Sequence, residues 1–199
     1  MEALLAAQSS RRVRGLLRRA RGDEPDGPLG SDVRLHRGAG ARLGGRRQRG
    51  QDREALGHSR GGFSTKIHLK VDLDGLPLAF HLTEGQASDS VQFEALLDLG
   101  PDITPRAAVG DKGYASKGNR ATARERGIAP VIPHKSNEKN RPAFFPKALY
   151  RARARIEQLV GKLKRFKRIA LRCEKTARNF GSFVALALGF ILTKSLHRA

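Results

Sequence analysis

The chain has 199 residues, and its 39 lysines and arginines outweigh 19 acidic residues, which gives a formal net charge of +20. This excess predicts a polyanionic partner, for which nucleic acid is the first candidate, although charge alone does not distinguish DNA from RNA or a ribosome. The single cysteine, Cys173, excludes an intramolecular disulfide and a zinc cluster built on several thiolates.

The most apolar stretch, from Phe180 to Thr193, has only 14 residues and contains two glycines. A helix needs about 20 apolar residues to span a bilayer. We therefore expect a buried helix here, no membrane span, and a cytoplasmic protein, since one unpaired cysteine suits a reducing compartment.

Residues 1–56 differ in composition from the rest of the chain, because they are rich in arginine and glycine and contain no lysine. A stretch with so little apolar periodicity does not bury enough surface to offset the entropy of ordering it. Two interpretations are open: a basic, disordered arm that binds nucleic acid, or a segment translated out of frame. Residues 57–199 are predicted to form the folded core.

Two alternating runs predict a β-hairpin at the start of this core. Apolar residues alternate with polar ones from 63 to 73 and again from 76 to 82, and Asp74-Gly75 supplies a turn between them. Further along, the pattern predicts a helix that carries the apolar residues of 91–97, a short strand over 106–110, a helix over 116–126 and a buried strand over 128–132.

A long helix over 146–169 and a last helix over 176–196 follow a basic loop at 134–145. The order is thus hairpin, helix, strand, helix, strand and helices. That order predicts an α/β fold in which helices cover the faces of a mixed sheet.

The predicted helix over 146–169 has an apolar face and, at its border, a stripe formed by Tyr150, Arg153, Glu157 and Lys164 at about 100° per residue. Taken alone, a glutamate between cations is typical of a solvated face with weak ion pairs. Asp111, however, follows a buried strand, and ligands bind at that end of such sheets.

Asp111 and Glu157 are therefore candidate catalytic residues and candidate ligands of Mg²⁺ or Mn²⁺, since these ions prefer oxygen ligands. Arg153 and Lys164 are candidates to hold DNA phosphates. Tyr150 is expected either to stack on a base or to orient the arginine.

These motifs resemble bacterial insertion-sequence transposases of the DDE class. The run Asp-Lys-Gly-Tyr that begins at Asp111 is similar to the family's second acidic motif, and the stripe from Tyr150 to Lys164 is similar to its Tyr-Arg-Glu-Lys signature. Residues 56–68 and 168–180 also resemble that family. The resemblance implies a ribonuclease-H-like fold, metal-dependent cleavage and transfer of DNA strands at insertion-sequence ends, and a homo-oligomer when active.

The first acid of that family lies on a strand before the hairpin, where this chain has Leu-Gly-Ser-Asp-Val-Arg-Leu-His over 29–36. Aligning the end of this run with the family's pattern places Leu29 at the acidic position. Asp32 is three residues away, and an odd displacement reverses the face of a strand. We therefore predict an N-terminally truncated copy whose sheet lacks a regular first strand and whose metal site has only Asp32 as a doubtful third ligand.

The alternative is a non-enzymatic basic protein that occupies transposon ends or other nucleic acid without cutting it. Under either interpretation, the remaining basic residues near these motifs are candidates for contacts with DNA phosphates, which are individually weak but jointly produce a steep salt dependence. They are Lys135, Lys139, Arg141, Lys162, Arg165, Lys167 and Arg168.

Overall fold

The computed structural model describes residues 4–7, 31–36, 54–59, 62–138 and 144–197, with the first two stretches described at the backbone only. The strands of these residues are β1 (Leu4–Ala7), β2 (Ser31–His36), β3 (Gly57–Ser59), β4 (Gly62–Val71), β5 (Pro77–Glu84), β6 (Ala107–Gly110) and β7 (Ala129–Val131). Their α-helices are α1 (Phe93–Asp98), α2 (Lys117–Glu125), α3 (Lys147–Arg151), α4 (Ala154–Lys164), α5 (Lys167–Ala170) and α6 (Ala177–Leu196).

Strand β4 is the centre of a mixed arrangement of strands. It pairs antiparallel with β5 along one edge and with β2 along the other, and β3 pairs with its first residues. Strand β6 pairs antiparallel with β1 and parallel with β7. The predicted mixed α/β architecture is confirmed, whereas the assignment to a ribonuclease-H-like fold stays a prediction.

The predicted hairpin is confirmed as β4 and β5, but its connection is longer than the expected two residues. Asp72 closes this connection, because its Oδ1 accepts hydrogen bonds from the backbone N–H groups of Asp74 at 3.0 Å and Leu76 at 2.8 Å. Gly75 has a φ of +81°, a left-handed conformation that glycine adopts without steric cost. The aspartate and the glycine therefore set the turn together.

Strand β2 differs from the expectation that the sheet lacks a regular first strand. Its six residues pair in continuous register with β4, from Ser31 opposite Leu69 to His36 opposite Ser64. The free edge of β4 explains this pairing, because it offers a row of backbone groups to any extended segment. The composition of residues 1–56 did not predict this strand, because composition carries no information about the unpaired edge of β4.

The strands separate two apolar clusters. On one face of β4, Ile67, Leu69 and Val71 pack with apolar residues of α4, α5 and α6. On the other side, residues of α1 and α2 pack with Tyr114 and the segment that enters β7. Helices therefore cover both faces, and neither face of β4 is solvated.

The second face of β4 carries buried cations and a histidine, since Lys66, His68 and Lys70 are each at most 1% exposed. Lys66 Nζ lies 2.5 Å from Asp89 Oδ1 in a buried ion pair. Lys70 Nζ donates to the carbonyls of Leu97 at 2.9 Å and Leu99 at 2.7 Å, at the C-terminal end of α1.

The prediction of one continuous helix over 146–169 is wrong, because the structure divides this stretch into α3, α4 and α5. Between α3 and α4 the backbone bonds shorten to i→i−3, as in the bond from Arg153 N to the carbonyl of Tyr150 at 3.1 Å. Between α4 and α5, Phe166 is extended, with φ −82° and ψ 96°. Among the described residues, no helix has both the length and the apolar character needed to cross a membrane.

Residues just before the predicted core boundary contact the core. Glu54 accepts from the N–H of Ala177 through Oε2 at 2.6 Å and from Arg172 Nη2 through its carbonyl at 2.9 Å. The carbonyl of Ala55 accepts from Thr65 Oγ1 at 2.6 Å. The division at 56/57 stays a prediction, but these two residues pack with the fold that follows.

Candidate active site

Asp111 lies directly after β6, where the chain enters a one-turn 3₁₀-helix over Lys112–Tyr114. Its Oδ1 accepts a hydrogen bond from the N–H of Gly113 at 2.8 Å, so the carboxylate caps that turn. The residue is 5% exposed. One carboxylate oxygen is thus held by the backbone, which fixes the direction of the other.

Tyr114 anchors the far end of this turn. It is fully buried, its ring lies 6.2 Å from that of Phe93, and its hydroxyl lies 3.5 Å from His68 Nδ1. Apolar burial of the tyrosine therefore holds the short segment that presents Asp111.

Arg153 connects the two candidate carboxylates. Its Nη1 lies 3.8 Å from Asp111 Oδ2, and its Nη2 donates a hydrogen bond to Glu157 Oε1. Glu157 is in the first turn of α4, four residues after Arg153, and its side chain is 49% exposed. The strand end and the helix thus present carboxylates to opposite sides of one guanidinium.

Tyr150 lies beside the same guanidinium, whose central carbon is 5.9 Å from the centre of the tyrosine ring. Phe145 packs edge-on against Tyr150, with 5.2 Å between ring centres. Burial raises the pKa of the Tyr150 phenol above its usual value, and the positive charge of Arg153 opposes this effect. The role of Tyr150, which is either to stack on a base or to orient the arginine, stays a prediction.

Lys164 is the member of the predicted stripe that the structure leaves apart. It is exposed at the last turn of α4, about 10 Å along the helix axis from Glu157. No described contact joins Lys164 to the three residues around the guanidinium. The structure therefore brings together Asp111, Tyr150, Arg153 and Glu157.

Asp32, the doubtful third metal ligand, is on β2 at the register position opposite His68. The imidazole of His68 lies on the side of Tyr114, on the face of β4 away from α4. Within the described part of the chain, no three histidine, cysteine or acidic side chains form a metal-binding group.

The predicted DNA-contacting residues lie in several parts of the fold. Lys135 is exposed in the loop after β7, Lys162 and Arg165 at the end of α4, and Lys167 on α5. Lys139 and Arg141 lie outside the described residues. Arg168 is held by other contacts, because its Nε donates to Glu174 at 2.8 Å and its guanidinium stacks on Phe183 at 4.7 Å.

The pairings of two buried cations, Lys66 and Arg120, were not predicted from the sequence. The ion pair of Lys66 with Asp89 fixes the segment between β5 and α1. Arg120 on α2 pairs with Glu138 at 3.1 Å and donates to the carbonyl of Pro133 at 3.3 Å, which positions the loop that carries Lys135. Only the burial of Lys66 could have been inferred from the sequence, because a lysine on a central strand that has helices on both faces has no solvated side to occupy.

Comparisons with known proteins identify the family of the chain. A model of the family described as transposase DDE domain matches residues 31–192. The chain is 32% identical over 144 residues to the putative transposase for insertion sequence element IS402 of Burkholderia cepacia, an alignment that covers 68% of this chain and 65% of that protein.

A second relative is the putative transposase for insertion sequence element IS6501 of Brucella ovis. It is 37% identical over 134 residues, which cover 64% of this chain and 97% of the relative. No solved structure shows significant similarity to the chain. Because the family model matches more than half of the chain, the chain belongs to the transposase DDE domain family.

Proposed function

We propose that the chain carries the catalytic part of an insertion-sequence transposase, which cleaves DNA strands at the element ends and transfers them to a target, as a homo-oligomer in the cytoplasm. The contact of Asp111 and Glu157 with the same guanidinium supports this proposal most directly. Two carboxylates and a cation at a strand end suit a phosphodiester substrate, since the cation binds phosphate and the carboxylates bind metal.

The donor atoms present fit a divalent metal ion. Mg²⁺ is usually held by one or two protein carboxylates together with waters and substrate phosphates. Asp111 Oδ2 and the carboxylate of Glu157 are such donors, because the backbone N–H of Gly113 already uses Asp111 Oδ1. These two residues would hold Mg²⁺ or Mn²⁺, whose chemistry when bound is activation of the attacking hydroxyl and stabilisation of the leaving oxygen.

Other residues of the site would bind and orient the DNA. Arg153 contacts both carboxylates, and its planar guanidinium is suited to a bidentate contact with phosphate. The Tyr150 ring, 5.9 Å from the guanidinium carbon, would help to orient the arginine through a cation–π contact. Lys164, further along α4, would contact a phosphate of the same strand.

The experiment is incubation of the purified chain with Mg²⁺ or Mn²⁺ and a duplex that carries the terminal repeats of the element. The expected result is nicking at the repeat ends, abolished in Asp111→Asn and Glu157→Gln. The matched control is Asp102→Asn, because Asp102 is an exposed aspartate in the loop before β6. Nicking that persists in both site variants would contradict the proposal.

One observation favours the second candidate function, a copy that occupies DNA ends without cutting them. Asp32 is opposite His68 in register, and His68 faces away from α4 and Glu157. Under this candidate, neither metal supports cleavage, and Asp111→Asn and Glu157→Gln leave DNA affinity and its salt dependence unchanged. If cleavage occurs and Asp32→Ala also abolishes it, Asp32 is the first acid of the site.

A further inference from the structure

A groove of about 530 Å³ lies between the end of α4 and the C-terminal half of α6. Lys162, Arg165 and Lys194 are the cations that line it. Its apolar lining comes from Phe166, Phe190 and Ile191. No carboxylate is among the described residues that line this groove, so an anionic ligand would meet attraction and no repulsion at its walls.

This groove is separate from the candidate active site. Lys162 is five residues after Glu157 on α4, which places it about 140° around the helix and about 8 Å along its axis. Arg153, Asp111 and Tyr150 line the margin of α4 that carries Glu157. None of the four site residues, Asp111, Tyr150, Arg153 and Glu157, lines the groove.

One aromatic side chain of the groove, Phe190, is unusually open to solvent, whereas Phe166 is half-buried. Phe190 is 58% exposed, and its ring lies 6.2 Å from that of Phe166 in an edge-to-face contact. Lys194 Nζ lies 5.8 Å from the centre of the Phe190 ring. A large exposed ring beside cations suits a ligand that has both a flat apolar group and a negative charge.

The positive charge of the groove argues against two other occupants, a second copy of the chain and the chain's own residues 1–56. A second copy of this chain has a net charge of +20, and an isologous contact at the groove would oppose three cations to the same three. The chain's own residues 1–56 are rich in arginine, so their docking there would also be repulsive. Unpaired nucleotides combine flat bases with regularly spaced phosphates, and aromatic rings among cations are the usual binding surface for them.

We propose that this groove binds a short run of unpaired nucleotides in a DNA strand, whose bases stack on Phe190 and Phe166 and whose phosphates contact Lys162, Arg165 and Lys194. The proposal rests on the proposed function for DNA as the partner, but it requires neither metal nor catalysis. Bases in an intact duplex stack on one another and are not available to a phenyl ring. The groove therefore selects single-stranded segments over a duplex.

The first test measures binding of a fluorescent oligothymidylate and of a duplex of equal length by anisotropy, in EDTA so that cleavage plays no part. We expect Phe190→Ala to weaken single-strand binding about tenfold, because one base no longer has a ring on which to stack, and to leave duplex binding unchanged. Leu186→Ala is the matched control, since Leu186 is 70% exposed on the same helix but does not line the groove. Circular dichroism checks that each variant is folded.

The second test replaces the three cations together by alanine. The slope of log affinity against log salt for the single strand should become less steep by about 2, at about 0.7 for each phosphate that the protein no longer neutralises. A control that replaces Arg106, Lys117 and Arg124 removes the same charge from exposed positions elsewhere. It should alter that slope less than the groove variant does.

Single-strand binding equal to that of the parent chain in both groove variants would overturn the proposal. The same conclusion would follow if Phe190→Ala abolished binding of a poly-glutamate peptide and left the oligothymidylate unaffected, because the groove would then be a site for an acidic protein segment. Neither result depends on whether Asp111 and Glu157 support cleavage. Failure of the groove and failure of the proposed function are thus distinguished.

Discussion

Arg153 is the residue on which the geometry of the candidate site depends. Its guanidinium contacts a carboxylate from β6 and another from α4, and a tyrosine ring lies beside it. This cation offsets the repulsion between the carboxylates. Asp111 and Glu157 would hold a divalent cation through their carboxylates, and that cation would compete with Arg153 for these groups.

We expect Arg153→Gln to bind Mn²⁺ up to about fivefold more tightly than the parent chain in the absence of DNA. The basis is that a half-exposed ion pair is worth up to about 1 kcal/mol, which the metal no longer has to displace. Isothermal titration calorimetry measures the affinity. Arg151→Gln is the control, since Arg151 is an exposed arginine two residues away on α3. Unchanged or weaker Mn²⁺ binding would show that Arg153 does not occupy the metal position.

Residue spacing was enough to predict Asp111 and Glu157 as candidate ligands of one metal ion, because a strand end and a helix border are positions that local periodicity defines. That role stays a prediction. Spacing did not predict that Arg153 bridges these two residues or that Lys164 stays apart. Those contacts depend on how α4 packs against β6 and on the break before α4, and neither is a local property of the stripe.

At the scale of elements, β4 shows that the alternation of apolar and polar residues predicts a strand but not the burial of both its faces. The alternating pattern correctly predicted the strand and the packing of Ile67 and Leu69. It did not indicate that the opposite face is buried, because lysine and histidine there resemble a solvated face. Helix α1 covers that face, and its terminal carbonyls together with Asp89 satisfy the ammonium groups of Lys66 and Lys70.

Burial lowers the pKa of Lys70 from 10.5 to about 8. A lysine that binds its proton less tightly in the folded chain contributes stability that is fully present above about pH 10.5 and is lost as the pH falls through about 8. Relative to Lys70→Met, the free energy of unfolding of the parent chain should therefore rise by up to about 3 kcal/mol across that window.

Urea unfolding at several pH values within the window measures this difference. Lys117→Met is the control, because Lys117 is exposed at the start of α2 and its substitution should leave the pH dependence unchanged. Parallel pH profiles for Lys70→Met and the parent chain would show that the Lys70 ammonium is not destabilised by burial.

At the scale of the whole molecule, the order of elements was enough to predict an α/β fold with helices on both faces. The extent of the folded part was harder to predict, because residues distant in sequence complete it. Arg172, near the C-terminal helix, donates to Thr65 at 2.9 Å and to the carbonyl of Glu54 at 2.9 Å, and it stacks on Phe180 at 4.3 Å. Local composition contains no signal of such contacts.

Glu54 links the segment before the hairpin to the last helix, because its carboxylate accepts the N–H of Ala177 in the first turn of α6. That position satisfies a free donor and places negative charge at the positive end of the helix dipole. Glu54→Ala should therefore lower the free energy of unfolding by about 1 kcal/mol, as loss of a helix cap does. Chemical denaturation of the full chain measures this, with Glu125→Ala, an exposed glutamate on α2, as the control. If neither substitution changes the free energy of unfolding, the folded domain begins after residue 56. If only Glu54→Ala lowers the free energy of unfolding, the domain includes Glu54.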